Sequence, residues 1–188
     1  TAKFHWDAAD ERLGIGTTPG YTLDVENATD NGIARFTSGD ADVFIVLADS
    51  GTTGAGNRIG AISDDMYFKT ASTTRMTIDA SGNVGIGVTP EAWTSGIDVL
   101  QVGTKAILSA GSTNTILGNN WYDDGANKYL SGSGALASIY SQNAGVHAWY
   151  NAPAGNADAA LTFTQAMTLD ASGNLYVATT GINPQTLT

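Results

Sequence analysis

The 188-residue sequence predicts an all-β fold built from small repeated modules of hairpins and short sheets. Three observations predict it. The first is a phrase that recurs. Met76-Thr-Ile-Asp-Ala-Ser-Gly-Asn-Val-Gly-Ile-Gly-Val-Thr-Pro90 is its fullest copy. Met167-Thr-Leu-Asp-Ala-Ser-Gly-Asn-Leu-Tyr-Val177 repeats the first half, and Phe4-His-Trp-Asp-Ala-Ala-Asp-Glu-Arg-Leu-Gly-Ile-Gly-Thr-Thr-Pro19 repeats the whole with one extra residue. The second is alternation of apolar and polar residues with a period of two, the period of a strand. The third is charge usage. Only eight residues are Lys or Arg, and fifteen of the eighteen acids are Asp. Helices favour Glu, Lys and Arg, whereas turns favour Asp.

The elements follow in chain order. In each copy of the phrase an apolar pair such as Met76 and Ile78 precedes Asp-Ala-Ser-Gly-Asn, and a second alternating run follows. Asp bonds its own backbone two residues on and Gly accepts positive φ, so the phrase reads as a hairpin. Gly14, Gly16, Gly85 and Gly87 share the face opposite the apolar residues, which implies close approach of another backbone. Pro19 and Pro90 stop the second strand. Tyr21–Glu26 alternates, with Leu23 and Val25 inward. Asp30-Asn-Gly32 is a hairpin signal, with Ile33–Thr37 as its return strand. Val43–Leu47 is continuously apolar, as in a strand covered on both faces. Residues 50–57 form a Gly/Thr loop, and Arg58–Ile62 and Met66–Lys69 flank a turn at Ser-Asp-Asp65. Further on, Ile97–Val102 and Ala106–Ser109 are short strands. Asn120–Leu130 is an aromatic hairpin, and Ala137–Tyr140 and His147–Tyr150 lead to the last copy of the phrase.

The phrases lie 72 and then 91 residues apart, counted from Asp7 to Asp79 to Asp170. This divides the chain into the end of one module at 1–19, a second at 20–90 and a third at 91–188. Modules so small and rich in glycine bury little area alone, and with no cysteine they lack disulfides. Oligomerisation is one remaining source of reinforcement. A net charge of −10 argues against nucleic acid and against a bare anionic membrane surface. No apolar run is long enough to span a bilayer and no signal peptide is visible. Thr1 is not an initiator, which points to a fragment or a processed product.

The refrain, together with Asn120-Trp-Tyr-Asp-Asp-Gly-Ala-Asn-Lys-Tyr-Leu130, His147-Ala-Trp-Tyr-Asn-Ala-Pro153 and Phe163-Thr-Gln-Ala-Met-Thr-Leu169, resembles the distal part of tailed-bacteriophage tail fibres. The resemblance is to the β-rich region preceding an endosialidase-type intramolecular chaperone. It covers most of 91–188 and, more loosely, 1–90. It implies a homotrimer around a three-fold axis, located in the virion and contacting other tail proteins. It also implies recognition of a host surface glycan or receptor. Three backbones meeting at one axis would explain the glycine faces. The sequence departs from the pattern at Tyr176-Val-Ala-Thr-Thr, where Gly-Ile-Gly is expected, and in the absence of the chaperone that follows in such fibres.

The residues themselves offer little chemistry. Gly54-Ala-Gly-Asn-Arg-Ile-Gly60 has one residue too many for a dinucleotide fingerprint and no helix after it, so it reads as a surface loop. Asp64-Asp65 and Asp123-Asp124 could serve glycoside hydrolysis, but sequence neighbours point to opposite strand faces. Neither has calcium-loop spacing. His5 and His147 have no Cys or second His to complete a metal site. No catalytic residue, metal or cofactor is therefore assigned. The better lead is aromatic: Trp121, Tyr122, Tyr129, Tyr140, Trp149 and Tyr150 fall within thirty residues. Two readings stand. The rings are either the core of the third module or a sugar-binding surface with nearby Asp and Asn. The expected ligand-binding set is Trp121, Tyr122, Asp123, Asp124, His147 and Trp149. Besides glycan binding, the alternatives are a plain shaft and a polysaccharide depolymerase.

Overall fold

The computed structural model describes residues 3–28, 32–53 and 56–178. Every regular element among them is a strand. The chain divides into two compact units, Thr1–Asp40 and Ala41–Thr188. The expected boundary at residue 19 lies inside the first and that at residue 90 inside the second.

The first unit is a three-stranded sheet of β1 (Phe4–Asp7), β2 (Arg12–Ile15) and β3 (Leu23–Val25). β1 and β2 form the expected hairpin, and β3 then pairs with β2 in parallel. Leu23 was expected inward, yet it is exposed in this unit. Of the expected hairpin at 30–32, Asp30 and Asn31 lie outside the described residues. Its return strand does not form: Ile33–Thr37 carries no strand.

The second unit holds a twelve-stranded sheet and a small two-stranded one. The large sheet begins with β4 (Asp42–Leu47), β5 (Asn57–Ile62), β6 (Asp65–Thr70), β7 (Thr73–Ile78) and β8 (Val84–Ile86). It continues through β9 (Asp98–Val102), β10 (Ala106–Ala110) and β11 (Asn114–Asn119). The small sheet is β12 (Tyr122–Asp123) with β13 (Asn127–Lys128), the expected aromatic hairpin. The large sheet resumes at β14 (Ala135–Asn143), β15 (Val146–Gly155), β16 (Thr164–Leu169) and β17 (Leu175–Val177). Sheet order follows chain order, from β4 at one edge to β17 at the other. All pairs are antiparallel except β8 with β9. Gly54 and Ala55 lie outside the described residues, and the rest of that Gly-rich motif runs straight into β5 with no helix.

Two Asp-Ala-Ser-Gly-Asn turns make the same bonds. In each, Asp Oδ1 accepts from the backbone N–H of the Ser and of the Asn, and Oδ2 accepts from the Asn amide. Gly82 and Gly173 take φ of 90° and 87°. The Asp7 copy fits its extra residue by a longer loop, with Glu11 at φ 52° in the left-handed position. The segment after each of the first two hairpins is also matched. Gly16 N–H donates to Lys3 O and Gly87 N–H to Arg75 O.

The strand glycines have a different cause from the one expected. A Cβ on Gly14 would lie 2.3 Å from Thr17 O and 2.9 Å from Pro19 Cδ. On Gly85 it would lie 2.2 Å from Val88 O and 2.8 Å from Pro90 Cδ. The close backbone is therefore the chain's own proline turn, folded back over the strand, and no second chain is needed to explain these residues. Behind each turn a side chain closes the crossover. Asp24, opposite Gly14, accepts from Gly20 N–H, and Gln101, opposite Gly85, accepts from Glu91 N–H.

One sheet face carries the core and the other is bare. The core packs Val99, Ile107 and Ala137 against Trp93, Trp121, Tyr122, Tyr129, Leu130 and Leu161 from the segments laid over that face. Gly118 and Gly155 make room for the Trp121 and Tyr129 rings. On the other face, directly opposed residues form one row across all twelve strands: Val43, Ala61, Met66, Ile78, Val84, Leu100, Leu108, Leu117, Tyr140, Trp149, Met167 and Val177. Every member is apolar or aromatic. Ile45, Ile59, Phe68, Met76, Ile86, Val102 and Ala106 form a parallel second row. Leu108 and Leu117 are 45% and 59% exposed. Val43–Leu47 is likewise not covered on both faces. It forms β4, an edge strand, and Phe44, Ile45, Val46 and Leu47 are all exposed. In the three-stranded sheet the same pattern recurs, with Phe4, Ile15 and Val25 in one row and Trp6, Leu13 and Leu23 in the next.

Candidate functional site

The six residues expected to bind a ligand fall on two faces of the large sheet. Trp121 and Tyr122 are core residues, 3% and 5% exposed. Trp121 donates its indole N–H to Asn127 Oδ1 at 2.7 Å and meets Trp93 edge-on at 5.3 Å. The Tyr122 hydroxyl donates to Asp158 Oδ1 at 2.8 Å. Burial, reinforced by the Asp158 carboxylate, pushes its ionisation far above the ordinary tyrosine range. Tyr122 is therefore held as a neutral donor to Asp158.

Asp123 and Asp124 point apart, as expected for neighbours. Asp123 Oδ1 accepts from Thr94 Oγ1 at 3.1 Å and Gly125 N–H at 2.8 Å, which ties the β12–β13 hairpin to the crossover beneath it. Asp124 pairs with Lys128 at 2.5 Å on the surface, and that ammonium lowers the carboxyl below its usual value. Both carboxylates are thus occupied in holding one turn. Asp65 is similarly engaged, accepting from Ala80 N–H at 2.9 Å.

His147 and Trp149 stand on the other face. The Tyr140 hydroxyl contacts His147 Nδ1, the two rings stack, and Trp149 lies tilted 4.9 Å from Tyr140. Trp149 and Tyr140 are members of the apolar row. Period-two alternation separates them from Ile139 and Tyr150, which face the core side together with Phe163. The aromatic cluster of the sequence is thus split by the sheet, and no single groove collects all six residues.

Sequence reasoning missed Trp93 and Asn83. Trp93 sits in the crossover after Pro90 at the centre of the core, bounded by Trp121 and Tyr122. Its signal was an isolated Trp in a segment that otherwise reads as a polar loop. Among the described residues no group of three His, Asp or Glu gathers as metal ligands, and no helix is long and apolar enough to cross a membrane. The chain matches no protein-family model, no curated protein and no solved structure.

Proposed function

We propose that this chain is a β-structured segment of a bacteriophage tail fibre. It assembles as a homotrimer through its apolar sheet face and presents the opposite face to the host surface. The observation that carries the reading is the unbroken apolar row. A continuous apolar face on which Met66, Leu100, Leu108, Leu117 and Val177 are exposed supports an association surface. The count of three, the virion location and contact with other tail proteins rest on the resemblance of the refrain to tail fibres.

The mechanism is binding, multiplied by three-fold symmetry and by several fibres per particle. The matched hairpins and crossovers are consistent with modular construction. Assembly of this kind places His147 and Trp149 at the interface and leaves Asp123 and Asp124 on the outer layer. A shaft without a receptor site is the second reading, favoured by the burial of Trp121 and Tyr122. Adsorption of the labelled chain to a panel of bacterial strains separates the two. Binding to particular strains supports recognition, and binding to none makes the segment a spacer. A turnover assay on capsular polysaccharide and lipopolysaccharide should show no cleavage.

A further inference from the structure

A pocket of about 320 Å³ opens between the Asp79–Asn83 turn and the crossover from β8 to β9. Its wall includes Ser81, Asn83, Trp93, Ser95 and Asp98. Two buried side-chain groups in that wall have no hydrogen-bond partner: the Trp93 indole N–H and the Asn83 amide oxygen. The residues are 8% and 3% exposed. The orientation of Asn83 is fixed, because its Nδ2 donates to Asp79 Oδ2 at 3.0 Å and a carboxylate only accepts. One orphan is therefore a donor and the other an acceptor.

The matched turn sharpens the contrast. Asn174 makes the same bond to Asp170, yet it is exposed, so water can reach its oxygen. At Asn83 the chain has instead laid a tryptophan and a polar loop over the turn. An unmet donor and an unmet acceptor on residues of one pocket wall are both groups that hydroxyls satisfy, since a hydroxyl accepts from the first and donates to the second. Ser81 and Ser95 add further hydroxyls, and the charge in the wall is the Asp98 carboxylate, which disfavours an anion. The volume is at the small end of ligand pockets, about 300–1,000 Å³. Trp93 belongs to the core on the face opposite the apolar row, so association through that row leaves its side of the sheet uncovered.

We propose that this pocket binds one neutral sugar ring, whose hydroxyls meet Trp93 Nε1 and Asn83 Oδ1. The proposal deepens the host-recognition reading and rests on it. The test follows the Trp93 indole N–H resonance of the full chain, assigned with Trp93→Phe. Glucose, galactose, mannose, rhamnose and N-acetylglucosamine are titrated to tens of millimolar, with glucuronate as the anionic control. The expected result is a saturable shift with at least one neutral sugar and none with glucuronate. Trp93→Phe keeps the ring but lacks the donor, and should weaken that sugar at least about tenfold. A Trp93 resonance that no sugar moves overturns the pocket, and so does a Trp93→Phe variant that binds sugar as well as the parent. Strain adsorption is read in parallel. Wild-type adsorption unaffected by Trp93→Phe, with no sugar shift, sinks the pocket alone. A sugar shift without adsorption to any strain sinks the host-recognition reading and leaves the pocket.

Discussion

Gly85 shows how one residue fixes a local fold. Its missing Cβ is the space into which Val88 O and Pro90 turn back, so Gly85→Ala must displace backbone. We expect a loss of about 1–3 kcal/mol, the usual cost of overpacking, measured by denaturant unfolding. Gly39→Ala is the control. A Cβ there meets nothing within 4 Å, and it should fall within about 0.5 kcal/mol of the parent. Glu91 tests electrostatics at the same scale. Burial raises its carboxyl pKa above 4.5, and the negative charge of Asp158 adds to the effect. The folded state therefore carries a cost whenever Glu91 is ionised, and protonation relieves it. Glu91→Gln should be more stable than the parent at pH 7. The gap should close as pH falls through the raised pKa and vanish below 4.5. A gap that widened on acidification would reverse this assignment. Asp124 and Asp170 act oppositely. Their pKa values are lowered, by Lys128 and by the Asn174 side chain respectively. Their contribution is present above 3.8 and lost as pH falls below it.

Hairpins were the most legible elements, because Asp-Ala-Ser-Gly-Asn encodes its own turn through bonds no more than four residues long. Asp79→Ala removes three acceptor contacts and should cost about 1–3 kcal/mol. Asp170→Ala should speed amide exchange in β17, which pairs with β16 alone. Unchanged exchange there would mean that the turn does not hold the strand. Parallel partners were less legible. β3 and β9 alternate like hairpin strands, and what makes them parallel is the crossover behind the proline, held by Asp24 and Gln101 from the strand that follows it. β11 was missed because its core-facing Gly118 looks like a breaker, yet it lies under the Trp121 ring. The candidate site was legible only as composition. The sequence supplies the rings, but the register of β14 against β15 decides which face each one takes. Trp93 needed the crossover to be folded before it could be seen.

At the scale of the molecule the decisive feature is a sheet that carries its core on one face, between Trp93 and Leu161, and an unbroken apolar row on the other. The row from Val43 to Val177 includes Leu108 and Leu117, which are exposed and take no part in the chain's own core. Leu108→Asp with Leu117→Asp should therefore spare the chain's own core, since both residues lie opposite it, and abolish association. Far-ultraviolet circular dichroism should keep its β signature in that variant while the mass falls. Assembly also bears on the open question of host contact. If the bare face is the interface, Trp149→Ala should weaken association, whereas Asp124→Ala should leave it intact. The measurement that bears most directly on the central claim is the mass of the purified chain in solution by light scattering at micromolar concentration. Three-fold association through the apolar row predicts about three times the 19.3 kDa monomer mass, falling to one in the Leu108→Asp/Leu117→Asp variant. A dimer would keep the interface and remove the three-fold axis. A stable, folded monomer for the parent chain would contradict both.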